Sequence, residues 1–498
     1  MHLPIFYSAM LLTGVNLLLR LVSTSFQVYI SGSIGAAGVG LLQLVLSVGA
    51  LAMTAGMAGI RTATMYLTAE QLGRKNPGAV RQVLSGCLLY SVLCSSAVSF
   101  LLHTFASEIA ASWVGHPETA DAIRLYACFV PVTCLTGVMT GYFTAANRIG
   151  TLAAVEVAEQ LLSMAITMAF LTLWAKGNAV RACQSIIFGS GLAGCLTVVT
   201  LMLLRVLEKP PRAARIPLTK PLLEAAVPLA LADDLKAGIS TTENLMVPKR
   251  LALFPGADNP LAAFGMVCGM VFPVLMFPAA IIFGLAELLI PELARCAAAG
   301  SRARIQYLVK RSLKITLLYG CFCCGLEVLL GQTLCQTLYK SQEAGRLLQL
   351  YAVLIPMLYC DAITDAMTKG LGQQKACVRY NIITSGLDVM FLYFLLPHYG
   401  MYGYFFSFFV THLLNFILSV RRLIKITGKV LSPTVPIWTF VALGFAIFVA
   451  SHVYQPFIRG ISFGIVFLCL LFLLQVLKKE DLFWIKGLIT INAGRIKV

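Results

Sequence analysis

Charged residues are scarce in this sequence, and their scarcity excludes a soluble protein. Asp, Glu, Lys and Arg make up 12% of the 498 residues, whereas soluble domains use about 25%. Hydrophobic residues make up 59%, and the mean hydropathy is +0.85. Apolar runs long enough to cross roughly 30 Å of hydrocarbon recur along the whole length. The sequence therefore predicts an integral membrane protein without a soluble domain.

Sequence motifs for nucleotide, metal and hydrolytic chemistry are also missing. There is no Walker A sequence, G-x-S-x-G, H-E-x-x-H or zinc-type Cys/His spacing, and the six histidines are scattered. The segment "GSGLAG" from Gly189 fits a dinucleotide pattern, but no strand precedes it, which indicates helix packing instead. Most of the 15 cysteines fall within apolar runs, where thiols behave as small hydrophobes. We therefore expect no cofactor and no use of ATP by this chain.

The apolar runs predict an all-α membrane protein with about fourteen transmembrane helices. Each run is continuously apolar instead of alternating, which favours helices over barrel strands. The first run lacks a basic leader and a cleavage site, so we expect it to stay in the protein. The predicted spans are 5–29, 39–63, 82–104, 122–143, 151–174, 182–205, 222–246, 261–287, 312–332, 346–368, 378–397, 401–420, 434–453 and 457–477.

The net charge of +17 is explained by where the basic residues lie. If the N-terminus is cytoplasmic, most lysines and arginines fall in cytoplasmic loops, above all in 205–220, 295–314, 421–429 and 478–497. This asymmetry follows the positive-inside rule and predicts that both termini are cytoplasmic. It indicates contact with anionic lipids at these loops and argues against a nucleic-acid partner.

An internal repeat predicts two similar halves. The stretch "GLLQLVLSVGALAMTAGMAGIRTATMYLTAE" from Gly40 and the stretch "GMVCGMVFPVLMFPAAIIFGLAELLIPELAR" from Gly265 agree in length and in the glycines at their first and twentieth positions, at an offset near 225 residues. Two six-helix lobes related by a pseudo-two-fold axis along the membrane normal are expected, as in many transporters, followed by two extra C-terminal helices. The predicted parts are lobe 1–207, basic linker 208–221, lobe 222–430, extra spans 431–477 and an amphipathic cytoplasmic tail 478–498.

Several ionisable residues fall deep inside predicted spans, where an unpaired charge is costly. Asp233, Lys236, Ser240 and Glu243 form a polar stripe on span 7, with Asp234 on a neighbouring face. Two interpretations remain open for the stripe. Asp233 and Lys236 are either an ion pair that neutralises itself and ties helices together, or part of a site for a cation or a proton.

Further acids extend the second interpretation. Asp388 in span 11, seven residues after Asn381, and Asp361 in span 10 are candidate companions of the acids in span 7. Carboxylate and amide oxygens suit Na⁺, so Glu243, Asn381 and Asp388 are candidate sodium ligands. A buried carboxyl group can equally carry a proton.

The arginines suggest a different ligand. Arg20 lies deep in span 1, and a guanidinium in a poorly solvated cavity favours phosphate. The other interpretation is that Arg20 caps the carbonyls of a broken helix. Lys236 is a candidate helper. Arg61 is a weaker phosphate candidate, because it lies near a span end together with Glu156, Glu159, Glu287 and Asp365, where snorkelling makes a charge inexpensive.

Four stretches carry a family resemblance. They are "SGSIGAAGVGLLQLVLSVGALAMTAGMAGIRTATMYLTAE" (31–70), "GYFTAANRIGTLAAVEVAEQL" (141–161), "ENLMVPKRL" (243–251) and "GLGQQKACVRYNIITSGLD" (370–388). They resemble the polysaccharide-biosynthesis and stage V sporulation protein B branch of the multidrug/oligosaccharidyl-lipid/polysaccharide (MOP) exporter superfamily. That superfamily also contains MurJ-type lipid II flippases and MATE drug exporters. The resemblance implies a V-shaped pair of lobes and alternating access driven by an ion gradient or the membrane potential.

The resemblance also assigns residues. Arg20 matches an arginine in the cavity of MurJ-type flippases, whereas Phe26 stands where those proteins have a second one. Glu243 matches a carboxylate that the family carries before "VPKRL", and Asn381 matches a polar position near the sodium site of some members. Asp233, Asp234 and Lys236 match nothing in the branch.

The sequence thus predicts a secondary transporter rather than an enzyme. The expected function is translocation of a lipid-linked oligosaccharide or peptidoglycan precursor, on a polyprenyl pyrophosphate carrier, across the bacterial cytoplasmic membrane. Glycan-synthesis enzymes are expected partners, and Na⁺ or H⁺ the coupling ion. The alternatives are a MATE-like exporter of organic cations, which a buried Arg20 disfavours, and a membrane-embedded glycan ligase or polymerase, which the short outer loops disfavour.

Overall fold

The structure is a computed structural model that describes residues 5–73, 77–175, 177–206, 219–428 and 434–477. Within these ranges the chain is helical and has no strand, so the predicted all-α fold is confirmed. The first nine helices in these ranges are α1 (Ile5–Met57), α2 (Ile60–Gly73), α3 (Pro77–Thr104), α4 (Ala106–Glu108), α5 (Ala120–Ala145), α6 (Ile149–Phe170), α7 (Ala179–Val206), α8 (Thr219–Leu251) and α9 (Pro260–Met266). The others are α10 (Phe272–Leu275), α11 (Ala279–Ala298), α12 (Arg302–Tyr339), α13 (Gln342–Ala352), α14 (Ile355–Gly370), α15 (Gln374–Thr427), α16 (Thr434–Ser451) and α17 (Pro456–Leu473).

Nine helices of the described ranges are long and apolar enough to cross a membrane, or up to eleven if each of two bent pairs is one span. The number is lower than the predicted fourteen partly because two helices run through a kink. Gly35 in α1 and Gly400 in α15 have φ of 69° and 58°, a conformation that glycine adopts without strain. Each kink falls between two predicted spans. The charged helix α8 is not among the nine, and the count of fourteen crossings stays a prediction.

Contacts divide the chain into two compact units. The first unit contains Met1–Met270 and Ser385–Ser407, and the second contains Val271–Thr384 and Phe408–Val498. The predicted lobe boundaries follow the sequence repeat instead of contacts, and they stay a prediction. The tail 478–498 and most of the linker, 208–218, lie outside the described residues.

The core of the first unit lies between α2, α3, α5 and α7. Ile60, Val83, Val138, Phe143 and Leu201 are among its buried side chains. These positions come from one face of each helix, and the opposite faces carry exposed apolar residues, as a membrane-facing surface requires.

Two predicted spans are broken instead of continuous, both at residues of the second unit. The span predicted at 261–287 is interrupted between α10 and α11, and the span predicted at 346–368 is bent by 56° between α13 and α14. Pro278 precedes α11 and Pro356 lies in the first turn of α14. Proline cannot donate to the preceding turn, so each break falls where the helical hydrogen bonds are already interrupted.

Two tyrosines satisfy the carbonyls that the first break releases. The Tyr359 hydroxyl donates to the Leu275 carbonyl at 3.0 Å, and the Tyr319 hydroxyl donates to the Pro278 carbonyl at 2.9 Å. The two rings stack with centroids 6.1 Å apart. An unpaired carbonyl inside hydrocarbon is expensive, so the pair stabilises the irregular backbone.

The packing of α9 against α1 depends on Gly265. A Cβ added there would lie 2.0 Å from the Ala36 carbonyl oxygen and 2.4 Å from the Gly40 nitrogen. The two backbones therefore touch, as they do at glycine pairs in membrane helices. Beyond α9, Ser31 donates to the Gly269 carbonyl at 3.1 Å. These contacts fix the short π-helical turn Val267–Val271 beside α1.

We expect Gly265→Ala to destabilise the first unit, because the added methyl group must push α1 and α9 apart. Overpacking of this kind costs about 1–3 kcal/mol. Thermal unfolding of the purified protein in detergent would show a lower melting temperature. Gly238→Ala is the matched control, since a Cβ at this helical glycine meets no atom within 4 Å. Equal melting temperatures for the two variants would contradict the expectation.

Candidate functional site

The charges predicted deep in span 7 lie on α8. Asp233 and Lys236 are exposed, and in the part of the chain that the structure describes they form no ion pair within 4.0 Å. The alternative of a pair that neutralises itself is therefore not observed. Asp234 is half-buried beside Tyr90 of α3, and one of its carboxylate oxygens is buried without a hydrogen-bond partner among the described residues.

The structure brings Glu243 of α8 together with Asp388 of α15, as the sequence predicted for the coupling site. The two carboxyl groups lie within hydrogen-bonding distance of each other. Asp388 is buried, and the fully buried Ser407 donates its hydroxyl to the Asp388 carboxylate at 2.5 Å. All three residues belong to the first unit. We call Glu243 and Asp388 the acid pair.

The kink at Gly400 explains why Ser407 reaches Asp388. The two residues lie on opposite sides of the kink in α15, and Gly403 allows a close approach to the Leu395 backbone, with 2.7 Å from its virtual Cβ to the carbonyl oxygen. Sequence reasoning missed Ser407, because it treated 378–397 and 401–420 as two separate spans. The glycines at 400 and 403 were the only signal of the contact.

The surroundings of the acid pair are also ordered. Cys268, in the π-helical turn, lies beside the Tyr404 hydroxyl and Glu243. On the opposite side α8 is fixed to α1, because Thr241 donates to the Ser47 carbonyl at 3.1 Å and Asn244 donates to the Ser47 hydroxyl at 3.0 Å. The acid pair is therefore positioned by α1, by the π-helical turn and by the part of α15 that follows the kink.

The chemistry of the acid pair follows from its geometry. A hydrogen bond between two carboxyl groups needs an O–H donor, so one of the two carries a proton when they touch. With Ser407, the pair also offers several oxygens to a hard cation. Asn381, predicted as a third ligand, belongs to the second unit.

The predicted phosphate ligands Arg20 and Arg61 differ in their burial and in their charged neighbours. Arg20 is half-buried on α1, and Arg61 is exposed on α2. Arg61 acts electrostatically on Glu156 of α6, which in turn lies near the half-buried Glu159. Anionic neighbours repel phosphate, so Arg20 remains the stronger candidate.

Asp361, predicted as a coupling residue, lies in a different polar cluster of the second unit. It is buried on α14 and accepts hydrogen bonds from the Asn415 amide at 3.1 and 3.0 Å. The Nδ1 of His412 lies 3.8 Å from its Oδ2. Sequence reasoning missed Asn415 and His412, because both lie about 50 residues from Asp361 and form no local motif with it.

Sequence reasoning also missed Glu327 on α12. This side chain is 4% exposed, and both of its carboxylate oxygens are buried without a hydrogen-bond partner among the described residues. Cys323, Cys324 and Tyr319 of the same helix surround it. A single acid within the apolar run 312–332 was the available signal.

An apolar groove of about 570 Å³ lies in the second unit between α12, α14, α15 and α16. Its apolar lining includes Leu317, Met357, Phe409, Leu413, Phe416 and Phe440. The charged lining residues are Lys310 and Lys314, in the N-terminal half of α12. The groove therefore combines apolar walls with two lysine side chains from the basic stretch 302–314.

Comparisons with known proteins agree with this architecture. The family model MatE matches residues 12–169. Stage V sporulation protein B of Bacillus subtilis (strain 168) is 21% identical to the chain, over 95% of this chain and 96% of the relative. The structure of the lipid II flippase MurJ in an inward closed conformation superimposes with a TM-score of 0.67 at 13% identity, covering 93% of this chain and 98% of MurJ. An inward-facing multidrug resistance MATE family transporter gives the same TM-score at 14% identity, covering 84% and 99%.

The fold and these likenesses define a multi-pass helical membrane protein with the fold of the MATE and MurJ transporters. The expected resemblance is confirmed: residues 12–169 match the MatE family model, and the chain is similar to stage V sporulation protein B, to MurJ and to a MATE transporter.

Proposed function

We propose that this transporter is a flippase that moves a lipid-linked oligosaccharide or peptidoglycan precursor from the inner to the outer leaflet of the bacterial cytoplasmic membrane. The observation that carries the proposal is the groove of the second unit. Its apolar walls suit a long isoprenoid chain, and Lys310 and Lys314 suit the pyrophosphate that joins such a chain to a sugar. The names of two relatives, stage V sporulation protein B and the lipid II flippase MurJ, support a lipid-linked cargo.

The acid pair supplies the coupling in this proposal. An ion drives a conformational change only if it binds one state better than the other. Glu243 and Asp388 share a proton while they touch, and separating them leaves each carboxyl group free to ionise. Entry of a proton from the outer side then favours the state in which the pair is closed. Na⁺ is the alternative coupling ion, bound by the oxygens of the pair and Ser407.

Arg20 provides the test of the proposed cargo. We expect Arg20→Ala to slow transfer of a fluorescent, pyrophosphate-linked polyprenyl sugar in reconstituted vesicles by about 10- to 100-fold, because a charge-assisted hydrogen bond contributes about 1.5–3 kcal/mol. Arg181→Ala is the control, since Arg181 is an exposed arginine on α7. Equal rates for the two variants would remove Arg20 from the cargo site, and no transfer by the wild type would overturn the flippase function.

A second candidate function is export of organic cations. The observation in its favour is the set of half-buried acids in the first unit, Glu156, Glu159 and Asp234, which would attract a cation. The likeness to a multidrug resistance MATE transporter agrees with it. Vesicles that accumulate a cationic dye and do not transfer the lipid would favour this function over the first.

A further inference from the structure

A second polar cluster in the second unit has the composition of a proton site. The buried Asp361 of α14 is bridged by the Asn415 amide group, whose nitrogen lies 3.1 and 3.0 Å from its two carboxylate oxygens. The imidazole Nδ1 of His412 lies 3.8 Å from Oδ2 of Asp361. This is ion-pair distance and about 1 Å beyond a hydrogen bond. His412 and Asn415 are three residues apart on α15, so both side chains face Asp361 from the same helix.

Asn415 can bind Asp361 in either charge state. Its amide nitrogen donates to an ionised carboxylate, as observed, and its amide oxygen can accept from the O–H of a protonated acid after a half-turn of the amide. That oxygen, Oδ1, is now buried without a hydrogen-bond partner in the residues that the structure describes. A buried polar atom left unpaired is costly and calls for an explanation. A carboxyl group that changes its protonation state supplies one.

His412 connects the buried acid to the surface. Its side chain is 37% exposed, whereas that of Asp361 is 11% exposed. The imidazole ring packs on Phe408 with centroids 4.2 Å apart, which limits the positions that the ring can take. Imidazole is the side chain that ordinarily changes its charge between pH 5 and 8. A proton therefore reaches Asp361 most directly through His412.

Other charged groups on neighbouring helices are occupied or distant. On α14 itself, Asp365 is bound to Lys369 at 2.6 Å. α14 packs against α11 and α12 and, through the Asp361–Asn415 contact, against α15. The titratable and charged groups of the first two are Glu287, Glu292, Arg295 and Cys296 on α11 and Arg302, Arg304, Tyr307, Lys310, Arg311, Lys314, Tyr319, Cys321, Cys323, Cys324, Glu327, Cys335 and Tyr339 on α12. Those of α15 within the second unit are Lys375, Cys377, Arg379, Tyr380, His412, Arg421, Arg422 and Lys425. Within the described ranges, His412 is the only basic side chain within 4.0 Å of the Asp361 carboxylate.

We propose that Asp361, His412 and Asn415 form a second proton-binding site of this transporter, separate in the chain from the acid pair. His412 takes up a proton, and its Nδ1–H bond then breaks as an O–H bond forms on Asp361. The products are a neutral imidazole and a neutral carboxylic acid. The O–H of this acid donates a hydrogen bond to the amide oxygen of Asn415. The use of this proton in transport rests on the proposed function, whereas its binding does not.

The first test needs no cargo. A proton that His412 and Asp361 share stabilises the folded protein while it is bound, so this contribution is present at pH 5.5 and is lost as the proton leaves towards pH 8. We expect His412→Gln and Asp361→Asn each to lower the melting temperature of the purified protein by about 1–3 °C at pH 5.5. At pH 8 each variant should melt at the temperature of the wild type. The melting temperature of the double variant should fall no further than that of either single variant, because the two substitutions remove the same interaction.

The chain provides matched controls. His398 and His452 are exposed histidines whose Nδ1 atoms lie 3.0 and 2.9 Å from the carbonyl oxygens four residues earlier, those of Phe394 and Phe448. His398→Gln and His452→Gln should leave the pH dependence of the melting temperature unchanged. An equal effect of all three histidine variants, or additive losses in the double variant, would overturn the site.

The second test asks whether transport uses the proton. In vesicles, Asp361→Asn and His412→Gln are expected to flatten the pH profile of lipid transfer between pH 5.5 and 8, and Asp361→Glu to restore it. A wild-type protein that transfers no lipid would overturn the proposed function, but the melting experiment would still decide on the proton site. An unchanged profile in both variants would overturn the site's part in transport.

Discussion

Glu243→Gln is expected to reduce proton-driven transfer of lipid by about 5- to 150-fold, the range of a coupling free energy of about 1–3 kcal/mol. Glutamine has the size of glutamate and can hydrogen-bond to Asp388, but it cannot gain or lose the shared proton. The variant should therefore transfer lipid at the same low rate with and without an imposed proton gradient. The measurement is the initial rate in vesicles under both conditions.

The control for this prediction lies on the same helix. Glu224 is exposed on α8 and lies 3.9 Å from the Lys220 ammonium, a surface pair of little energetic value. Glu224→Gln should behave as the wild type. If Glu243→Gln kept a rate that rises with the proton gradient, the acid pair would have no coupling role. If a sodium gradient alone drove the wild type, the oxygens of the pair and Ser407 would bind Na⁺ instead.

The second large effect is expected from the double variant Lys310→Gln, Lys314→Gln. A basic side chain near an anionic lipid surface contributes about 1 kcal/mol, so the loss of two corresponds to about a 30-fold weaker apparent affinity for a pyrophosphate-linked lipid. The groove itself stays apolar and keeps its shape. The measurement is the dependence of the transfer rate on the concentration of the lipid.

Salt and a distant lysine separate this effect from a general loss of charge. The wild-type affinity should fall as the ionic strength rises, because salt screens exposed charges, whereas the double variant should respond less. Lys340→Gln removes an exposed lysine at the opposite end of α12 and should not change the affinity. A double variant with wild-type affinity would show that the groove does not hold the head of the lipid.

The fold was predictable to the extent that it depends on composition. Long apolar runs must become helices in a membrane, because each backbone polar group needs a partner within its own segment. The breaks at 276–278 and 353–354 were not predicted, since a window of hydropathy averages over the prolines that cause them. The carbonyls of Leu275 and Pro278 at the first break accept from Tyr359 and Tyr319, which lie on other helices.

The site was predictable in its acids and not in their partners. Glu243 and Asp388 are conspicuous, because an acid in an apolar run is costly and needs a reason. The structure places them in contact, and their role in coupling stays a prediction. Ser407 and Asn415 are ordinary polar residues in a sequence. Ser407 gains its role from the kink in α15, which brings it to Asp388, and Asn415 gains its role from the packing of α15 against Asp361.

The sequence by itself determined that this protein lies in a membrane, is helical and carries buried charges, because hydropathy and the cost of an isolated charge depend on residue type alone. The tertiary structure decided which charges meet. Glycines at 265, 400 and 403 let backbones approach and a helix fold back, and these close approaches join residues far apart in the chain. Hydrogen bonds act over about 3 Å, so the partners of Asp388 and Asp361 are set by packing, which no local pattern encodes.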